Sequence, residues 1–291
     1  MGGGVGPAQG RDGGRALMGR FERLPPSGVT PRPAATVVLL RERARGFQLL
    51  LMRRNRSAGF VPGAYVFPGG RVDAQDAGRA LVSRLKRLTP EAAAVRLALP
   101  AGDPPAIAYY LAAAREAFEE AAVLVARPGE RFLPGTAVGR ARLIRLREHL
   151  LAGTLGFAEV LDDLGVDIDG CALEYIAHWI TPEAETRRYD TRFFAALAPP
   201  GSRSAPDPRE MTDSLWLSPG EALDRHRAGR LPMIFPTIRT LEELSAFSTA
   251  DAVLAHYRTR DIPAVMPSLV RTEAGVRVSI LDDQTAAGGS A

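Results

Sequence analysis

Two apolar runs near the start of the chain, Ala35 to Arg41 and Phe47 to Arg53, flank a charged turn at Arg45 and Gly46, a composition that predicts a β-hairpin. In the next stretch, Gly59 to Gly70, glycines and prolines bracket a short strand. Leu81, Leu85 and Leu88 recur at helical spacing and predict helix over 78–99, where Thr89-Pro90-Glu91 supplies a cap, a first-turn proline and a first-turn acid. Asp103-Pro104-Pro105 then opens a second helix, Ala106 to Ala126, with Ile107, Leu111 and Phe118 near one face. Paired helices are expected at Arg140 to Leu151 and Leu155 to Leu164, followed by strands at Leu173 to Ile180, Arg188 to Leu197 and Ser214 to Leu217. Pro219-Gly220-Glu221 starts another helix. Helices at Ile238 to Ala246 and Ala250 to His256 precede a closing hairpin, Leu269 to Thr272 with Val276 to Leu281, turning at Ala274 and Gly275. Strands and helices alternate without a regular βαβ rhythm, so the expected fold is α/β, a mixed sheet flanked by helices.

Composition narrows the setting. The Gly-rich residues 1–30 and the last residues, 284–291, read as disordered tails around a single domain over 31–283. No run approaches the roughly 18 apolar residues of a membrane span, which excludes a transmembrane reading. The 37 Lys+Arg and 33 Asp+Glu leave a net charge of +4, but the basic residues are scattered among acids, so no nucleic-acid surface is indicated. Cys171 is the single cysteine: no intrachain disulfide or cysteine-based zinc cage can form, which fits a reducing, cytoplasmic setting. His149, His178, His226 and His256 show no i, i+4 ligand spacing and are read as surface or core residues.

The informative segment is Arg115-Glu116-Ala117-Phe118-Glu119-Glu120, inside the second predicted helix. Glu116, Glu119 and Glu120 sit at i, i+3 and i+4, on one helical face, where each like-charged pair costs about 0.2 to 0.5 kcal/mol. Arg115 can answer Glu119 at i+4, yet one cation does not balance three anions. A solvated acidic face is one reading; a bound divalent cation is the other, and oxygen-only ligands favour Mg²⁺ or Mn²⁺ over zinc.

This segment, with Gly70 upstream, resembles the signature of the Nudix hydrolases: Gly, five residues, Glu, seven residues, then Arg-Glu-hydrophobic-any-Glu-Glu-any-Gly-hydrophobic. Gly70, Arg115, Glu116, Glu119, Glu120 and Val123 match; Asp76 stands where the first Glu belongs, and Ala122 where the last Gly belongs. Between Asp76 and Arg115 lie 38 residues where the pattern allows seven, an insertion of 31. The same interruption is a feature of the peroxisomal coenzyme A diphosphatases of that family, which the chain resembles over roughly residues 33 to 247. That likeness includes Trp179-Ile180-Thr181-Pro182, Thr186 to Phe194, and Trp216 with Ser218-Pro219.

The resemblance implies a Nudix α/β/α sandwich with a mixed central sheet, a helical insertion within the box at about 77–105 and additional C-terminal helices. It implies Mg²⁺ or Mn²⁺ held by Glu116, Glu119 and Glu120, with Asp76 as a further ligand or as a partner of Arg115 only. Catalytic roles fall to Glu119 or Glu120, orienting water, and to Arg115, fixing a carboxylate. Gly69 and Gly70 would let the backbone approach the site, Gly70 at a backbone angle other residues avoid. Arg53, Arg54, Arg187 and Arg188 are candidate phosphate contacts, Glu210 is a candidate late metal or base residue, and Tyr189, Phe193, Phe194, Trp179 and Trp216 are read as core. The implied substrate is coenzyme A or acyl-coenzyme A. NADH, ADP-ribose, a nucleoside triphosphate or capped RNA are the alternatives, as is a non-catalytic nucleotide-sensing module. For the insertion, a lid and a homodimer contact both stand open.

Overall fold

The computed structural model describes residues 22–56, 61–100, 102, 104–126, 135–273 and 275–280. After a two-residue strand β1 (Glu22–Arg23) come β2 (Arg32–Glu42) and β3 (Phe47–Arg54), then β4 (Tyr65–Val66), β5 (Gly69–Arg71), a short helix α1 (Arg79–Val82), β6 (Leu85–Lys86) and α2 (Pro90–Arg96). The long α3 (Ala106–Ala121) leads to α4 (Ala137–Leu151), α5 (Phe157–Leu164), β7 (Ile168–Asp169), β8 (Glu174–Ile180), β9 (Tyr189–Leu197) and β10 (Met211–Leu217). Three helices, α6 (Pro219–Arg227), α7 (Phe235–Leu244) and α8 (Ala250–Tyr257), precede β11 (Ala264–Val265), β12 (Ser268–Thr272) and β13 (Gly275–Ser279).

The central mixed sheet runs β10-β3-β2-β9-β8-β11, with β2–β9 and β8–β11 parallel and the other neighbours antiparallel. Helices cover both faces. Ala35, Val37 and Leu39 of β2 pack with α2, α3, α4 and α5, while Val38 and Leu40 pack with α6, α7 and α8. Burial on both faces is why the run Val37 to Leu40 is continuously apolar rather than alternating. The architecture is therefore the expected α/β/α sandwich.

The hairpin holds only at its closed end, where Leu40, Arg41 and Glu42 pair with Leu49, Gln48 and Phe47. Beyond that point β2 and β3 diverge, and the next segment fills the gap: β4 pairs with β3, and β5 pairs with β2 through Thr36↔Gly69, Ala35↔Gly70 and Ala34↔Arg71. Gly69 and Gly70 are thus strand residues set in a split sheet, and neither has positive φ, contrary to the expectation for Gly70.

Two other boundaries differ from the sequence reading. The helix expected over 78–99 is broken into α1 and α2 by β6, whose Leu85 and Lys86 pair in parallel with Ile168 and Asp169. Thr89 does cap α2, its Oγ1 accepting from Ala92 N–H at 3.1 Å. Residues 22–30, assigned by composition to a tail, are held in place: Glu22 and Arg23 pair with Arg271 and Val270, and Ser27 N–H donates to the Glu183 carbonyl at 2.7 Å. Residues 1–21, Ser57 to Phe60, Asp103, Ala274 and the tail at 284–291 lie outside the described residues. Among the described residues no helix is long and apolar enough to cross a membrane.

The insertion is anchored away from the sheet split. Besides the β6–β7 pairing, Arg84 pairs with Asp162 and Asp167, and Leu88 packs so close to Gly170 that a Cβ there would collide with it.

Helix α3 stops at Ala122, earlier than expected, because that residue adopts the left-handed conformation (φ 53°, ψ 32°). Val123 N–H then donates to the Ala117 carbonyl at 3.3 Å and Ala122 N–H to that of Phe118 at 2.9 Å, the latter being the bond of a left-handed helix stop, where glycine is the usual residue. The left-handed geometry costs roughly 1–2 kcal/mol for a residue with a Cβ, offset in part by burial of the Ala122 methyl group. Ala122→Gly is expected to stabilise the fold by up to about 1 kcal/mol, seen as a higher urea midpoint at unchanged slope. A lower midpoint would show that the methyl contacts outweigh the strain.

Candidate active site

Helix α3 is buried all round except at Glu119, and its many alanines (Ala108, Ala112, Ala113, Ala114, Ala117 and Ala121, all fully buried) let it lie close against the sheet. Its last turns carry the charges. Glu116 and Glu120, one turn apart, face β5: Gly69 N–H donates to Glu120 Oε2 at 3.0 Å, and a Cβ on Gly70 would fall within 2.7 Å of three carboxyl atoms of Glu116. At Gly69 a Cβ would meet the Ala35 carbonyl and Thr36 at 2.6 and 2.5 Å. Both glycines are therefore required by space, not by backbone angle.

Arg115, 2% exposed, is the hub. Its Nε and Nη2 donate to Asp76 at 2.8 and 3.0 Å, Nη1 donates to Glu116 at 2.9 Å and Glu119 at 2.7 Å, and Nη2 also reaches the Arg71 carbonyl at 2.9 Å. Asp76 is fully buried, and its second oxygen also accepts from Asp73 N–H at 2.8 Å. Both Asp76 oxygens are engaged with Arg115, and Asp76 does not line the cavity.

Burial raises the carboxyls. Glu116 is pushed up to about 7 by loss of solvent, against the pull of Arg115 and with the repulsion of Glu119. Glu120 is held well above the usual carboxylate range by burial and then by Glu116, and Glu119 is raised for the same first reason. Burial works against the Arg115 charge, but the Asp76 hydrogen bonds and the surrounding carboxylates more than offset it, and the guanidinium is held charged.

The loop before β10 completes the cluster. Ala205 and Asp207 N–H groups donate to the Ala121 and Glu120 carbonyls at 2.8 and 3.1 Å, capping the end of α3 and carrying Glu210 to the same cavity. Glu116, Glu119, Glu120 and Glu210 are oxygen donors that could hold a hard cation, and no histidine or cysteine lines the cavity among the described residues. They do not stand as a ready cage, since Arg115 Nη1 is bonded to both Glu116 and Glu119.

The cavity has a volume of about 660 Å³. Gly69, Gly70, Arg54 and Arg187 line it, whereas Arg53 and Arg188 do not. Arg53 lies on the other side of β3, 5.9 Å from the Tyr65 ring, because adjacent strand residues point to opposite faces. Arg188 is buried with its guanidinium on the Thr181 and Val29 carbonyls at 3.2 and 2.7 Å. Trp179, Tyr189 and Phe193, read as core, border the cavity, while Phe194 is core and Trp216 lies under Arg41. Sequence reasoning missed Arg71, Asp73, Phe235, Leu269 and Val278, which arrive from separate elements and share no local pattern. No described residue of the insertion lines the cavity.

Arg115→Met would leave Asp76 buried without its cation, and the expected cost is about 3–5 kcal/mol in urea unfolding. Arg115→Met with Asp76→Leu should recover much of that loss. If the single change costs under about 1 kcal/mol, the pair does not hold the site together.

The model of the NUDT19 Nudix domain matches residues 26–244. The chain is 31% identical over 241 residues to acyl-coenzyme A diphosphatase NUDT19 of Gallus gallus, covering 70% of this chain and 62% of that protein. The Homo sapiens protein of the same name is 30% identical over 238 residues, covering 71% and 62%. The chain thus spans about six-tenths of the length of these two relatives. Among solved structures, a NUDIX hydrolase from Alicyclobacillus acidocaldarius superposes with a TM-score of 0.62 at 28% identity, covering 79% of this chain and 97% of that one. With the family model matched over most of its length and the split sheet carrying the Arg-Glu-Glu-Glu helix end, this chain belongs to the Nudix family, in the group of the NUDT19 Nudix domain.

Proposed function

We propose that this chain is a diphosphatase dependent on Mg²⁺ or Mn²⁺ that hydrolyses the diphosphate of coenzyme A or acyl-coenzyme A, giving an adenosine bisphosphate and a phosphopantetheine product. The observation that carries this reading is one cavity with two characters: buried carboxylates on the α3 side, and apolar and aromatic walls from Trp179, Phe193, Phe235 and Leu269. The names of the relatives point the same way.

The donor set fits the cation. Its members are oxygen ligands, and burial and mutual repulsion make their negative charge costly without a counter-ion. When bound, the metal supplies charge neutralisation at the diphosphate and a water of lowered pKa. The chain's own groups supply position. Glu116 and Glu120 are held against β5, Glu120 by the Gly69 N–H, so their carboxylates are fixed before substrate arrives. Glu119, the more open of the three and steadied by Arg115, is placed to orient the attacking water and take its proton. Asp76 acts through Arg115 as a positioning residue. Arg54 and Arg187, on the cavity wall, offer charge to phosphate oxygens.

The first test is a product-resolved screen with Mg²⁺ or Mn²⁺ over coenzyme A, acetyl-coenzyme A, NADH, ADP-ribose and nucleoside triphosphates. Cleavage of coenzyme A at its diphosphate is expected. Cleavage of another substrate alone would discard the specificity, and no turnover with nucleotide binding retained would favour a sensing module. Glu119→Gln should lower kcat by at least about a hundredfold with the melting temperature retained; wild-type turnover would remove Glu119 from the chemistry.

A pH prediction follows from Glu116. Its folded value, about 7, lies above the ordinary 4.5, so the folded state binds more protons between the two. Its contribution is full below 4.5 and is lost as pH rises through about 7. In a chelator, stability should fall across that window, and Glu116→Gln should flatten the fall. Adding Mg²⁺ at neutral pH should release protons and raise the melting temperature. No proton release would argue against a cation among these carboxylates.

A further inference from the structure

Beside the main cavity lies a smaller cleft of about 280 Å³. Its charge comes from three adjacent strands that end at one edge of the sheet: β5 leaves at Arg71, β2 enters at Arg32, and Arg187 and Arg188 lead into β9. Because β2 lies between the other two, with Ala34 opposite Arg71 and Arg32 beside Tyr189, the register itself delivers these arginines together. The Arg32 N–H donates to the Arg188 carbonyl at 3.0 Å, locking the edge. The remaining lining is Val29, Thr186 and Tyr189, with no carboxylate.

Arg188 is the buried floor, committed to carbonyl oxygens. The side chains of Arg32, Arg71 and Arg187 make no ion pair or hydrogen bond among the described residues. The acids of the adjoining wall, Asp73 and Glu185, belong to the main cavity, where Asp73 lies 3.9 Å from Arg115. Like charges gathered without a neutralising acid repel one another, and an anion in the cleft relieves that repulsion. Guanidinium forks match phosphate oxygens bidentately. Arg71, Arg187 and Tyr189 line both spaces, so an anion in the cleft and a diphosphate at the carboxylates can belong to one molecule.

We propose that this cleft is a phosphomonoester subsite, formed by Arg32, Arg71 and Arg187, for a second phosphate on the diphosphate substrate. Resting on the function proposed above, it takes the 3′-phosphate of coenzyme A, and so separates coenzyme A from its 3′-dephospho form. It extends the sequence expectation for Arg187 by two residues that no motif marked, and it gives Arg188 the supporting role.

The test uses Arg32→Gln, since Arg32 lines the cleft and not the main cavity. Wild-type protein should prefer coenzyme A over 3′-dephospho-coenzyme A in kcat/KM, and Arg32→Gln should shrink that preference on the order of tenfold, with part regained in Arg32→Lys. Equal losses on both substrates, or an unchanged preference, would overturn the subsite while leaving the diphosphatase reading intact. Calorimetry with adenosine 3′,5′-bisphosphate and with AMP, in Mg²⁺, tests the cleft without turnover. Tighter binding of the bisphosphate by wild type, lost in Arg32→Gln, supports it even if coenzyme A proves not to be the substrate. Equal binding of the two nucleotides by wild type overturns it. Inorganic phosphate that binds wild type and Arg32→Gln alike would overturn it too, as non-specific attraction to a basic edge.

Discussion

One buried guanidinium organises this molecule. Arg115 joins Asp76 to Glu116 and Glu119 and to the carbonyl of Arg71, and so ties α3, β5 and the turn after β5 into one unit. A charge so enclosed survives only when paired and hydrogen-bonded, and the pairing fixes the rotamers of the groups around it. It also explains how the chain tolerates a long excursion between Asp76 and Arg115. The two ends are brought together by a bidentate ion pair, while within the excursion β6 is fastened to β7 and Arg84 to Asp162 and Asp167.

The second requirement is close approach. The split between β2 and β3 admits β5, and only residues without a Cβ allow β5 to lie against both β2 and the Glu116 carboxyl. The first half of α3 is an apolar anchor pressed on the sheet by alanines, and its last turns are left to carry charge. A capping loop from before β10 then satisfies the end of the helix and brings Glu210 to the same cavity. Anchoring and chemistry are thus divided along a single helix. The raised carboxyls are the electrostatic consequence: packing encloses more negative charge than Arg115 alone neutralises.

The sheet edge repeats this logic with opposite sign. There the register of β5, β2 and β9 gathers arginines instead of acids. On the proposed reading, one substrate molecule bridges the two regions, its diphosphate near the carboxylates and its monoester at the basic edge, and electrostatic complementarity sets its orientation as well as its affinity.

Periodicity alone was enough for most of the elements, because a strand buried on both faces and a helix buried nearly all round leave strong apolar runs, as at Val37 to Leu40 and Ala106 to Ala121. The i, i+3, i+4 spacing of Glu116, Glu119 and Glu120 likewise placed three carboxylates together before any tertiary contact was known, since helical geometry is local. What the sequence could not decide was everything set by register across strands. Arg53 and Arg54 are equivalent in composition, yet the pleat sends only Arg54 to the cavity; Arg188 is consumed by carbonyls while its neighbour Arg187 faces the site. Gly70 looked like a turn residue and proved to be a strand residue excluded from bearing a side chain by Glu116, 46 positions along the chain. Local rules fix what a segment becomes; which of its side chains meet a distant partner depends on pairings and close approaches that exist only once the sheet and helices have packed.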